Sequence, residues 1–175
     1  MRFALVDRIV SLKPGASITT IKTLSLAEEY LADHFPRFPV MPGVMMLESM
    51  TQAGAWLIRV SDDFAHSLIT LKQARNLRFR NFVSPGQVLT VSANILEQSP
   101  NETHLQVQGK LADSVAVTGR LVLQKSNLVD CRPELSGSDD YVKRNLREML
   151  SLIYRPSVDG LNQQDGSAAV AGIEA

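Results

Sequence analysis

Apolar and polar positions alternate in two rhythms along this chain, one suited to strands and one to helices. The segment FALVDRIVSL, residues 3–12, is apolar except around Asp7 and Arg8 and predicts a strand. Lys13-Pro14-Gly15-Ala16 follows, with Pro and Gly at the central positions of a type II turn. SITTIKTLS, rich in Ile and Thr, returns as a second strand and completes a hairpin. Ser25 and Glu28 match an S-x-x-E capping box, which predicts a short helical turn through about Tyr30.

From Val44 to about Val60 the pattern is helical, with Pro42 and Gly43 at the start and no internal proline. Its only charges are Glu48 and Arg59, so most of its circumference must be buried. Such a helix needs something wrapped around it. Four strand candidates come next: LITLKQARNLRFRNFV, VLTVSANILEQ, THLQVQGKL and SVAVTGRLVLQ. Turns at Ser84-Pro85-Gly86-Gln87, Ser99-Pro100-Asn101-Glu102 and Ala112-Asp113 separate them. The expected class is α+β, one antiparallel sheet curled around a central helix.

After Gln124 the character changes. Residues 1–125 are expected to form the domain and the turn-rich 126–140 a linker. Residues 141–155 should form an amphipathic helix, with Val142, Leu146, Met149, Leu150 and Ile153 on one face. Lys143, Arg144 and Arg147 lie away from that face. Residues 156–175, poor in large apolar side chains, are expected to be mobile.

Charge and composition narrow the functional classes. Eighteen basic residues balance eighteen acidic ones, so no global field favours nucleic acid or an anionic membrane. A single cysteine, Cys131, excludes an internal disulfide and a cysteine-based zinc cluster. No metal or cofactor is expected. No stretch approaches the ~20 apolar residues of a membrane span, and the N-terminus lacks a signal-peptide pattern. A cytoplasmic location is the expectation.

The stretch DHFPRFPVMPGVMMLESM, residues 33–50, holds the candidate chemistry. On its helix Glu48 has Val44, Met45, Thr51 and Gln52 as neighbours, and no Lys or Arg one turn away. Desolvation of an unpaired carboxylate favours the neutral form, the form of a general acid. The structural alternative is a Glu held by Arg75 or Arg78 from a neighbouring strand. His34 lies in a path stiffened by prolines, with Phe35 pushed towards extended backbone by Pro36. His66 and His104, in polar surroundings near turns, read as surface residues. Gly43 stands where a helix start exposes unpaired N–H groups, a possible oxyanion site or only a tight turn into the helix.

HFPRFPVMPGVMMLESMTQ closely resembles the HFPxxPVMPGVLxxEAMAQ signature of the FabZ-type β-hydroxyacyl-[acyl-carrier-protein] dehydratases. The resemblance spans about residues 3–124, with LVDRIVSLKPG and LRFRNFVSPGQ resembling further family segments. Asp33, Arg37 and Gln87 depart from it. The resemblance implies a hot-dog fold, a homodimer or a trimer of such dimers, and a site shared between subunits. It implies His34 as base, Glu48 as acid and the Gly43 N–H as oxyanion donor. It implies an acyl tunnel, for which Phe35, Val40, Met41 and Met46 are candidates. The partner it implies is an acyl carrier protein, strongly acidic, for which Arg78 and Arg80 are the docking candidates. The alternatives are a hot-dog acyl thioesterase and a non-catalytic acyl-binding module of the same fold.

Overall fold

The computed structural model describes residues 3–155, apart from Pro36 and Ser136; the predicted mobile tail lies outside the described residues. Strands β1 (Arg8–Lys13) and β2 (Ser17–Thr23) form the predicted hairpin. Its turn closes through Ala16 N–H donating to Lys13 O at 3.0 Å, with Gly15 at φ 72° as the turn type requires. The first strand is shorter than FALVDRIVSL. Leu5 instead donates its N–H to the Gln52 side chain and accepts from Ser49 Oγ, so at this position the chain binds a helix rather than a strand.

Helix α1 (Tyr30–Asp33) begins later than the capping box predicts. Ser25 Oγ accepts from Ala27 N–H, and Glu28 is drawn away to Lys22 at 2.6 Å, so the reciprocal box never forms. Helix α2 (Gly43–Ser61) matches the long apolar pattern and extends it by one residue at each end.

Strands β3 (Leu68–Phe79), β4 (Val88–Gln98), β5 (Glu102–Leu111) and β6 (Ser114–Ser126) complete one antiparallel sheet. The order is β1-β2-β4-β5-β6-β3, so β3 closes one edge. Alternate residues of each inner strand face α2: Leu89, Val91 and Ala93 on β4, and Leu105 and Val107 on β5, are wholly buried. Each large apolar side chain so buried contributes ~1.5–3 kcal/mol.

Gly54 sets the spacing between helix and sheet. A Cβ there would lie 2.5 Å from Leu105 Cδ1 and 3.0 Å from Leu123 Cδ1, so any larger residue would force those leucines or the helix to shift. A curved sheet around one long, almost fully apolar helix is the hot-dog fold.

The segment read as a linker is more ordered than its composition suggests. β6 runs to Ser126, then helix α3 (Leu128–Cys131) follows, and the Asp139 carboxylate accepts from Leu128 N–H (2.8 Å) and Val129 N–H (3.1 Å). Helix α4 (Ser138–Ile153) lays Leu146, Met149, Leu150 and Ile153 against the core. Arg147, placed on the polar side by its spacing, also helps hold α4. It donates to Asp63 O at 2.9 Å and lies 4.8 Å from the Phe64 ring.

Candidate active site

His34 follows the last residue of α1 and is half-buried, its ring 4.5 Å from that of Phe35. Phe35 is not extended, as the following proline predicts, but left-handed at φ 51°. Phe38 N–H donates to Phe35 O at 2.7 Å, and this tight turn overrides the preference. A bulky residue held there costs ~1–3 kcal/mol, strain of the kind that gathers at functional sites.

Beyond the turn, Val40 and Met41 are buried, and Met41 N–H donates to Val83 O at 2.8 Å. The chain thereby enters α2 at Pro42 in extended geometry, ψ 142°, and no side chain caps the helix. The first N–H groups of α2 keep their donor capacity and partial positive charge. Gly43 has a steric reason of its own. A Cβ there would lie 3.1 Å from Phe79 Cε1 and Cζ, so the ring of β3 packs directly over the helix start.

These pieces enclose a cavity of about 320 Å³, within the range of small-molecule sites. His34 and Gly43 line it together. Its apolar wall includes Val40, Met41 and Met46, three of the four tunnel candidates, with Phe79 and Phe82. Phe35 is not part of that wall and is 60% exposed. A larger hollow of about 800 Å³ shares Asn81 and Phe82 with the cavity but is lined by no ionisable side chain. The smaller cavity is the one that holds His34 and Gly43, and so is the candidate site.

Glu48 is not among the residues that line this cavity in the single chain. It is half-buried and accepts a hydrogen bond from Gln52 Nε2 at 2.9 Å. Among the described residues no ion pair links it to Arg75 or Arg78, both exposed on β3. Gln52 also donates to Phe3 O and accepts from Leu5 N–H, so the N-terminal segment orients the amide that holds Glu48.

Arg80 lines the His34 cavity, whereas Arg78 lines a separate outer hollow with Arg120 and Thr118. Gln87, one of the departures, serves its turn: its Oε1 accepts from Ser84 N–H at 2.8 Å. Sequence reasoning placed Gln52 beside Glu48 by its i, i+4 spacing but gave it no role, and it missed Phe79 and Phe82. The two phenylalanines come to the site from β3 and the loop after it, a long-range contact with no local signature.

The FabA-like domain profile matches residues 1–125. The chain belongs to the FabA-like family. This FabA-like chain is 34% identical over 119 residues to the 3-hydroxyacyl-[acyl-carrier-protein] dehydratase FabZ of Ruminiclostridium cellulolyticum, covering 68% of this chain and 84% of that protein. The FabZ of Levilactobacillus brevis is 35% identical over 116 residues, 66% of this chain and 78% of that one. In fold the chain is similar to the dehydratase heterocomplex ApeI:P from Xenorhabdus doucetiae, at a TM-score of 0.62. That likeness covers 75% of this chain and 89% of the other at 22% identity. Helix α4 lies beyond the family match.

Proposed function

We propose that this FabA-like chain is a hydro-lyase that dehydrates β-hydroxyacyl thioesters on acyl carrier protein to trans-2-enoyl thioesters, in fatty-acid or related lipid or polyketide biosynthesis. The observation that carries the reading is one apolar-walled cavity holding both His34 and the uncapped start of α2 at Gly43. FabZ relatives at 34–35% identity support the same reaction.

In this reading His34 takes the proton from C2, and the electron pair moves into the thioester carbonyl. The Gly43 N–H stabilises the resulting enolate-like oxygen. Collapse of the enolate breaks the C3–O bond as Glu48 protonates the departing hydroxyl, releasing water. His34 is left protonated and Glu48 ionised, and proton exchange with solvent restores both. Val40, Met41 and Met46 hold the first part of the acyl chain.

Because Glu48 lies outside the cavity of its own chain, the complete site is proposed to pair His34 of one subunit with Glu48 of another in a homodimer. Two features support such an interface. Phe35, Phe38, Phe82 and Val44 form exposed apolar surface near the cavity, between 55% and 70% exposed. β3 presents a twelve-residue edge of largely exposed residues, suited to pairing with a second copy. A trimer of dimers is compatible with these surfaces.

Arg80 at the cavity, with Arg78 nearby in sequence, is the proposed docking point for the acidic carrier. None of the helices among the described residues is long and apolar enough to cross a membrane, and a cytoplasmic enzyme is proposed. The test is an assay of the purified chain on carrier-bound β-hydroxyacyl substrates of several lengths. Enoyl formation, reversible on adding water-equilibrated enoyl product, is expected. Thiol release without enoyl formation would favour the thioesterase reading instead.

A further inference from the structure

A second cavity, of about 190 Å³, lies between α2, the N-terminal segment and α4. Its α4 wall, formed by Leu146, Met149 and Ile153, comes from residues beyond the family match. Opposite stand Trp56 and Arg59 of α2. The Nε of Arg59 is sealed from solvent without an acceptor, and no carboxylate pairs with this guanidinium among the described residues. Its visible compensation is the Trp56 ring, 5.5 Å away. Burial pushes its pKa down to about 10, which still leaves it charged at neutral pH.

A half-buried guanidinium with a sealed Nε and no carboxylate partner among the described residues, set beside an apolar wall, is a receptor for one negative charge on an apolar body. We propose that this cavity binds a free short- or medium-chain carboxylic acid, its carboxylate on Arg59 and its chain against Trp56, Met149 and Ile153. The volume falls below the ~300 Å³ usual for drug-sized ligands and so excludes a long acyl chain. A doubly charged phosphate would leave one charge unmatched and waste the apolar wall. The Gln52 amide lines the cavity and also donates to Glu48, so the site stands one side chain from that carboxylate. The proposal does not depend on the dehydration reading.

Trp56 is the sole tryptophan of the chain, so its fluorescence reports on this cavity. The full-length protein is titrated with octanoate, with 1-octanol (the same body without charge) and with acetate (the charge without the body). Octanoate should give a saturable change in emission, and both controls should bind at least about ten-fold more weakly. Arg59→Met should weaken octanoate by a similar factor, and Met149→Phe, which narrows the cavity and stiffens its wall, should weaken it too. No saturable response in the wild-type chain, equal binding of octanol, or unaltered octanoate binding by folded Met149→Phe protein would each overturn the proposal. The wild-type comparison and Met149→Phe decide the matter even if Arg59→Met fails to fold.

Discussion

Gln52 Nε2 donates to Glu48 Oε1 at 2.9 Å, while Gln52 itself is held by the backbone of Phe3 and Leu5. The orientation of the candidate acid thus depends on a segment more than forty positions upstream. Gln52→Ala removes all three hydrogen bonds. It should lower stability by ~1–3 kcal/mol in urea unfolding. Turnover should fall roughly ten- to hundred-fold with little change in KM, because the carboxylate loses its orientation rather than its substrate. Unchanged turnover in a folded Gln52→Ala protein would show that Glu48 needs no such support.

Phe79 against Gly43 permits a separation of packing from chemistry. Gly43→Ala places a methyl group 3.1 Å from the ring and should cost ~1–3 kcal/mol of stability. Phe79→Leu in the same chain should restore most of that loss. Turnover should stay at least about a hundred-fold down in both variants, because the methyl still stands where the thioester oxygen meets the helix N–H. Recovery of turnover along with stability would mean that Gly43 serves packing alone.

Asp139 ties α4 to α3, and its pKa is lowered: a hydrogen bond involving Ser67 is the largest cause, and the backbone N–H groups of Leu128 and Val129 add to it against burial. A folded value below the unfolded one, ~3.9, means the contribution is full above about pH 4. It is lost as pH falls through the lower folded value. Protection of the Leu128 and Val129 amides, measured by hydrogen exchange against intrinsic rates, should therefore persist to about pH 4 and fall below it. Asp139→Ala should show the same loss at neutral pH. Equal protection in that variant would place the anchor of α4 in its apolar face alone.

Charge reversal at Arg80 should act on the carrier rather than on the reaction. Arg80→Glu should lower kcat/KM on carrier-bound substrate about ten-fold or more at low salt, with the gap to wild type narrowing as salt rises. A short β-hydroxyacyl pantetheine thioester should be turned over nearly as before. An equal loss on both substrates would assign Arg80 to the cavity wall instead.

Much of the fold was legible in the chain because its local rules agree with one another. The 44–60 apolar run has no room for a solvent face, and the Pro-Gly turns at residues 14–15 and 85–86 leave little choice of connection. Boundaries were misread where a distant partner intervened. Leu5 left the first strand for Gln52 and Ser49, Glu28 left its capping box for Lys22, and Asp139 ordered a segment that reads as a linker. At the candidate site, the long signature marked His34, Gly43 and Glu48 at once. Phe79, Phe82 and the Gln52 clamp depend on how strand β3, the loop after it and the N-terminus close on α2, which no local pattern encodes. The left-handed Phe35 opposes its local preference, as expected where a turn is shaped by tertiary structure.

The central claim is that one active site takes His34 from one chain and Glu48 from another, and subunit mixing tests it most directly. His34→Ala and Glu48→Gln proteins should each be folded, dimeric and nearly inactive. Unfolded together and refolded as a mixture, half of the dimers should be mixed, each with one of two sites intact. Activity should then return to about a quarter of wild type. No recovery in a mixture shown to contain mixed dimers would contradict the shared site and place both residues of each reaction in a single chain.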